Sequence, residues 1–282
     1  MAAEQSKVAL VTGASRGIGK ATAIALATAG FDVAIAARTL REGDGRDDSE
    51  TGGGRAIPGS LAATAAAIDA TGRLALAVRL DLLDRTSLAE AVATVLNRWG
   101  HIDVLVNNAV HTGAGSMEHF VDLDIETIET KLEANVVAQL VLTKQVLPGM
   151  LERGAGTIIN MTSAVAISDP PAPGGEGGWG LGYAITKGAF HRVAGILAVE
   201  LRTKGIRAFN VEPGYVVTER MEANQAALGF EGRYRGAPPS VPAAVVAWLA
   251  ASLSEAEAEE LNGTTVTAQK VALQRGLHPD WR

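Results

Sequence analysis

The chain of 282 residues contains no cysteine. Disulfides, thiolate nucleophiles and cysteine-based metal sites are thereby excluded. Its five histidines show no His-x-x-x-His or comparable ligand spacing, so no metal is expected. Aromatic residues make up only 4% of a composition that is 47% hydrophobic. The interior must therefore be built from Ala, Val, Leu and Gly, as in buried parallel strands and the helices that cover them. No run of Lys or Arg appears and the net charge is −6, which argues against nucleic acid as a partner. No apolar stretch approaches the ~20 residues that span a bilayer, and residues 1–7 lack the apolar core of a secretory signal. A soluble, cytoplasmic protein without a membrane partner is expected. Internal repeats and an interdomain linker are also missing, so residues 1–282 read as one domain.

What is present is an alternation of short apolar runs and helical patterns. Lys7–Thr12 reads as a strand, followed at once by Gly13-Ala-Ser-Arg-Gly17-Ile-Gly19 and a helical pattern over Lys20–Ala29. Strand, glycine turn and helix form the setting of a phosphate-binding loop. Gly13 permits the tight turn, Gly17 lets the backbone approach a pyrophosphate, and Gly19 lets helix and strand pack closely. The helix N-terminus offers free N–H groups to the anion. A second strand, Asp32–Ala37, should end beside the adenosine ribose, where an acidic residue would take the 2′-hydroxyl of NAD. Here that end reads Ala36-Ala37-Arg38-Thr39. Arg38, with Arg16 in the glycine turn, suits a 2′-phosphate, and NADP is read over NAD.

Residues 40–59 are charged, glycine-rich and aperiodic, and they read as a mobile, solvated loop. Ser60 is a candidate N-cap for a helix over 61–70. A third strand, Leu74–Leu80, delivers Asp81 to its carboxyl end, where it either accepts from an adenine amino group or caps the next helix. The fourth strand, Ile102–Val106, ends in Asn107-Asn108-Ala109, whose amides can tie strands together and line a ribose pocket. A long helix over 125–151 carries Asn135, and a fifth strand, Gly156–Met161, delivers Thr162 and Ser163 to the same edge. A sixth strand, Ile206–Val211, ends in Glu212-Pro213-Gly214, and Gly263–Ala268 is the last strand candidate.

Tyr183 and Lys187 are four residues apart on a helical pattern and so share a face. A phenol ordinarily titrates near ~10. A cation held close favours the phenolate and draws that value down. The pair can then exchange a proton with a carbonyl/alcohol couple.

Over essentially its whole length the chain resembles the short-chain dehydrogenase/reductase family. The likeness is carried by Thr12-Gly-Ala-Ser-Arg-Gly-Ile-Gly19, Asp81, Asn107-Asn108-Ala109, Asn135, Ser163, Tyr183-Ala-Ile-Thr-Lys187 and Pro213-Gly-Tyr-Val-Val-Thr218. The glycine spacing and the four-residue Tyr-to-Lys step are those of the shorter reductase branch. The resemblance implies a Rossmann-type, doubly wound α/β fold: a mostly parallel, seven-stranded sheet with helices on both faces. It also implies an NAD(P)-dependent oxidoreductase acting on a small carbonyl or alcohol, and assembly as a homotetramer or dimer. In the family's mechanism Ser163 would bind the substrate oxygen and Tyr183 would exchange its proton with it. Lys187 would hold the nicotinamide ribose and acidify Tyr183, and Asn135 would position a relay water. Gly13, Ser15, Arg16, Gly17, Ile18 and Gly19 would meet the phosphates. Arg38, Asp81 and Leu82 would face the adenosine, with Asn108 and Ala109 beside a ribose. Pro213, Gly214, Val216 and Thr218 would orient the carboxamide.

Several features depart from the family's pattern. Val110 stands where glycine usually follows Asn-Asn-Ala. The Ser163-to-Tyr183 interval is lengthened by the Pro/Gly segment 169–180, and a tail continues from Gln269 to Arg282. Residues 218–240 read as a mobile lid over the substrate. Val110, Val165, Trp179 and Tyr215, with the 221–234 segment, are the candidate pocket lining. Being mainly apolar and aromatic, they favour a hydrophobic or ring-bearing substrate. Arg220 and Arg233 would oppose that choice if they faced inward. The alternative is a catalytically silent, NADP-binding regulatory or scaffold protein, against which the intact Asn135, Ser163, Tyr183 and Lys187 argue.

Overall fold

Every residue of Val8–Thr12 (β1) and of Asp32–Ala37 (β2) is buried, as strands covered on both faces require. The computed structural model describes residues 6–229, 232 and 236–281. Between and after these strands come Gly17–Thr28 (α1), Leu61–Asp69 (α2), Ala75–Arg79 (β3), Arg85–Trp99 (α3) and Val104–Asn107 (β4). Ile125–Leu132 (α4), Ala138–Arg153 (α5), Gly156–Met161 (β5), Leu181–Leu201 (α6) and Ile206–Glu212 (β6) follow. The described chain closes with Glu219–Asn224 (α7), Ser240–Ala251 (α8), Glu255–Leu261 (α9), Thr265–Thr267 (β7) and Ala268–Arg275 (α10).

The sheet has seven strands in the order β3-β2-β1-β4-β5-β6-β7. Each neighbouring pair is parallel, so the sheet is wholly rather than mostly parallel. Alternation along the strands divides the core. Ala9, Val11, Val33 and Ile35 pack with Leu26, Leu61, Val241 and Val245 of α1, α2 and α8. Val8, Leu10, Ala34 and Ala36 pack with Leu88, Val92, Leu142 and Leu197 of α3, α5 and α6. The strand order reverses between β1 and β4, which pair Ala9 with Val104 and Val11 with Val106. At that reversal the crossovers leave in opposite directions and open a crevice at the carboxyl edge. Ser60 caps α2 as expected, its hydroxyl accepting from the Ala63 N–H at 3.1 Å.

Two expectations need correction, those for 125–151 and 40–59, and the tail, for which no structure was expected, takes a defined course. The helix predicted over 125–151 is interrupted by a π-helical turn, Glu133–Val137, which contains Asn135. An extra residue in one turn is a feature found most often at functional sites. The predicted tail folds back as α10, and Trp281 donates from Nε1 to the Gln269 carbonyl at 3.0 Å. The segment 40–59 is mostly exposed, as expected, but it is anchored through a few buried residues instead of being free. Asp47 is fully buried and takes a hydrogen bond from Asn224 at 2.7 Å and an ion pair from Arg220 at 3.2 Å. Arg46 and Ala56 bridge antiparallel across the segment. Its polar residues had read as solvated because their partners on α7 are remote in the chain. Arg233 and Tyr234 lie outside the described residues. Among those residues no single helix is long and apolar enough to cross a membrane.

Candidate active site

The glycine turn lines one end of a cleft at the β1/β4 reversal. Its close approach is steric: a Cβ on Gly19 would stand 2.2 Å from the Gly13 carbonyl oxygen and 2.5 Å from Asn108 Nδ2. Asn108 in turn donates from Nδ2 to the Thr12 carbonyl at 2.8 Å. The Thr12 hydroxyl accepts from the N–H groups of Asn108 and Ala109, each at 3.0 Å. Asn107 donates to Asn160 Oδ1 at 3.0 Å and to Thr143 at 3.1 Å, tying β4 to β5 and α5. Adjacent amides at the strand edge thus serve as the expected ties.

Gly13, Ser15, Arg16, Gly17, Ile18 and Gly19 all line this cleft, together with Arg38, Asp81, Leu82, Asn108, Ala109 and Thr218. Val110 lines it too, whereas Val165, Trp179, Tyr215, Pro213, Gly214 and Val216 do not. Two anion features bear on whether a dinucleotide fits. The α1 N-terminus already binds an anionic oxygen of the protein itself, Glu219 Oε2 accepting from the Gly17 N–H at 3.0 Å. Nearby stand the cations of Arg16, in the same turn, and Arg38, at the end of β2. The residues present therefore fit a phosphate-bearing dinucleotide.

Neither arginine is idle. Arg16 donates to the carbonyls of Pro58 and Gly59, both at 2.8 Å, and burial lowers its pKa, with Arg220 adding to the effect. Arg38 Nη2 pairs with Asp48 Oδ2 at 2.5 Å. Asp81 accepts from the Leu83 N–H at 3.1 Å, so it shapes the turn after β3 while lining the cleft; the cap of α3 is Asp84.

Ser163 lies two residues past β5 and caps a short 3-10 turn, Ala164–Ala166. Tyr183 is partly buried in the first turn of α6, within reach of the Ser163 hydroxyl. Lys187, one turn on, donates to the Met161 carbonyl at 2.8 Å and holds its ammonium 5.9 Å from the Tyr183 ring centroid. The three groups meet as expected. Their electrostatics do not follow the expected sign. Burial pushes the Tyr183 phenol up and Glu212 adds to it, while the Ser163 hydroxyl pulls it down. Burial also lowers Lys187 to about 8. With its ammonium spent on Met161, Lys187 does not offset the desolvation of the phenol.

The π-helical turn directs the Asn135 amide to the chain after β4: Oδ1 accepts from the His111 N–H at 2.7 Å and Nδ2 donates to the His111 carbonyl at 3.2 Å. The same loop is held by residues not singled out from the sequence. Lys131 is buried and donates to Ser116 Oγ at 2.6 Å; burial brings it down to about 8. Glu50, from the 40–59 segment, accepts from the Ser116 and Met117 N–H groups. The loop then packs on the entry to α6. Gly180 donates to the Ser116 carbonyl at 2.7 Å, and a Cβ on Gly182 would stand 2.1 Å from the Gly115 carbonyl oxygen. Gln269 of α10 spans the other side, donating to the carbonyls of Pro213 at 3.1 Å and Tyr215 at 2.9 Å. Val217 donates to the Ala237 carbonyl and Ala237 to the Tyr215 carbonyl, both at 2.9 Å and on either side of Val216, and Thr218 caps α7. Local sequence carried no signal for Glu50, Lys131, Glu219 or Gln269, since each resembles an ordinary solvated side chain.

Comparison with known proteins agrees with this geometry. The model of the short chain dehydrogenase family matches residues 7–47 and 55–228. A 3-oxoacyl-[acyl-carrier-protein] reductase of Synechocystis sp. is 31% identical over 223 residues, covering 79% of each chain. An L-rhamnose 1-dehydrogenase (NAD(P)(+)) of Sphingomonas sp. is 32% identical over 216 residues, covering 76% of this chain and 74% of the relative. Among solved structures, a 3-oxoacyl-[acyl-carrier protein] reductase from Brucella melitensis in complex with NAD superposes with a TM-score of 0.74 at 28% identity, covering 94% of this chain and 96% of that one. The chain belongs to the short-chain dehydrogenase/reductase family and is an NAD(P)-dependent oxidoreductase acting on an alcohol/carbonyl couple.

Proposed function

We propose that Tyr183 is the proton donor and acceptor of this oxidoreductase, with Ser163 holding the substrate oxygen. The observation that carries the reading is the meeting of Ser163, Tyr183 and Lys187 past the carboxyl end of β5, one strand over from the β4 end whose Asn108 and Ala109 line the glycine-turn cleft. The nicotinamide supplies or takes up the hydride. The chain's own residues handle the proton. Ser163 donates to the substrate oxygen and fixes it near the phenol. A phenol held above its ordinary value keeps its proton at neutral pH, which suits delivery to a carbonyl oxygen in the reductive direction. Lys187 bridges α6 to the end of β5 and would hold the nicotinamide ribose; Asn135 would place a water on the path to solvent. Gly13–Gly19, Asp81, Leu82, Asn108 and Ala109 would hold the dinucleotide, and Pro213, Gly214, Val216 and Thr218 its carboxamide end.

The substrate class is read from Val110, Val165, Trp179 and Tyr215, which favour an apolar or ring-bearing carbonyl. Arg220 does not oppose this, because Asp47 engages it at 3.2 Å. The two named relatives act on different substrates, so the likeness does not choose. On the cofactor, Arg38 and Arg16 at the β2 end support binding of a 2′-phosphate, and no carboxylate ends that strand. Assembly into a homo-oligomer is supported by Ile196 and Val199 of α6, 52% and 74% exposed; light scattering checks it.

Tyr183→Phe tests the assignment. Cofactor binding, followed by NADPH fluorescence, should stay within about twofold, while turnover of a carbonyl panel falls by roughly 10²–10⁴. Retained turnover would remove Tyr183 from the role.

A further inference from the structure

We propose that Asp48 is a specificity-determining residue for the cofactor, counterbalancing Arg38 and moving the preference from NADP toward NAD. The inference rests on the reading above that Arg38 faces the 2′ position of the adenosine ribose.

The short chain dehydrogenase model matches on either side of residues 48–54 and leaves that stretch unmatched. The stretch is nevertheless anchored. Gly54 donates to the Asp47 carbonyl and Gly52 to the Ser49 carbonyl, both at 2.9 Å, and the Asp47 carboxylate is buried against Asn224 and Arg220. Asp48 is thus delivered from a fixed backbone to Arg38, Oδ2 lying 2.5 Å from Nη2. Burial lowers the pKa of two other residues of the cleft, Arg16 and His111, and the Asp48 charge offsets part of that lowering in each. Arg16 meanwhile has its Nε and Nη2 donors on the carbonyls of Pro58 and Gly59.

A carboxylate only accepts hydrogen bonds. It can take one from a neutral 2′-hydroxyl, the part usually played by an acid at the end of β2. That strand ends in Ala36-Ala37 here, and the acid arrives instead from position 48. A 2′-phosphate near neutral pH carries close to two negative charges. To reach Arg38 it must displace Asp48 or sit beside it, and like charges so placed repel. Arg38 and Asp48 therefore pull the choice in opposite directions from one spot.

The test is equilibrium titration by calorimetry of the full-length wild type, Asp48→Asn, Arg38→Ala and the double variant with NADP and with NAD. Thermal melting checks that each variant folds. Asp48→Asn should shift the ratio of the two dissociation constants about tenfold toward NADP, the factor that corresponds to ~1.4 kcal/mol. Arg38→Ala should shift it toward NAD, and the double variant should lose the Asp48→Asn effect. Should Asp48→Asn leave the ratio unchanged while Arg38→Ala still moves it, the inference about Asp48 is overturned. An Arg38→Ala variant with an unchanged ratio overturns the underlying placement of Arg38 instead.

Discussion

The nucleotide side of the cleft and the substrate side are held by different kinds of contact. On the nucleotide side the turn 13–19 is shaped by missing side chains and by backbone bonds to β4, such as Asn108 Nδ2 to the Thr12 carbonyl at 2.8 Å. Most of its chemistry comes from one stretch of chain. On the substrate side, Asp47, Glu50, Lys131 and Gln269 reach across from three separate segments to hold the loop 111–117, α7 and the turn 213–215. One side depends on close packing, the other on charges and amides set against their partners. They should fail differently.

The largest effect is expected at Gly19→Ala. A methyl placed 2.2 Å from the Gly13 carbonyl oxygen must push the turn out of shape, so dinucleotide affinity should drop by roughly 100-fold, ~2.7 kcal/mol. Calorimetric titration checks it, and unchanged affinity would show that the turn is more yielding than its packing implies.

Asp47→Ala tests the other side. It strips a buried carboxylate from Arg220, Arg55 and Asn224, and removing one partner of a buried pair costs about 3–5 kcal/mol. Urea unfolding should show the loss, and limited proteolysis should open the chain between 41 and 59. The pH dependence has a defined sign. Burial alone would raise the Asp47 carboxyl, but hydrogen bonds from Asn224 and Ser49 with the Arg220 charge outweigh it and hold the carboxyl below its ordinary range. A lowered folded value contributes stability in full above the unfolded value, and that stability is lost as pH falls through the folded one. The segment should therefore loosen in acid and not in mild alkali.

A smaller effect separates Lys187 from Tyr183. Lys187 is brought down to about 8 by burial, so the reductive kcat/KM should be flat below that pH and fall about tenfold per unit above it. Lys187→Arg, which stays charged, should lose the falling limb. A limb that persists in the arginine variant would assign it to another group. The smallest effect is expected at Gln269→Ala, which removes two neutral hydrogen bonds to the 213–215 turn, worth about 0.5–1.5 kcal/mol each. The KM for the cofactor should rise several-fold and folding stability should fall by about 1–3 kcal/mol, which measured KM and melting temperature together decide.

The parallel α/β architecture, the glycine turn and the Tyr183–Lys187 face were legible in the sequence because each depends on neighbours within a few residues: strand periodicity, a turn that needs no Cβ, a four-residue helical step. Ser163 and Asn135 were legible only through the family resemblance, since nothing in their flanking residues brings them to α6. The π-helical turn at Asn135 and the wholly parallel pairing of β7 went unread, because a single added helical residue and a three-residue strand leave almost no periodic trace.

The sequence by itself determined which chemistry the edge of the sheet can hold, since the identities of Tyr183, Lys187, Ser163 and the turn glycines limit it. Tertiary structure decided the charge state of that chemistry and what surrounds it. Burial moves the Tyr183 phenol up, although the neighbouring lysine had suggested a downward shift. Asp47, Asp48 and Glu50, which look solvated in a charged run, are brought onto Arg220, Arg38 and the 116–117 backbone. Electrostatic energies depend on distance and on exclusion of water, and neither is encoded in the spacing of residues along the chain.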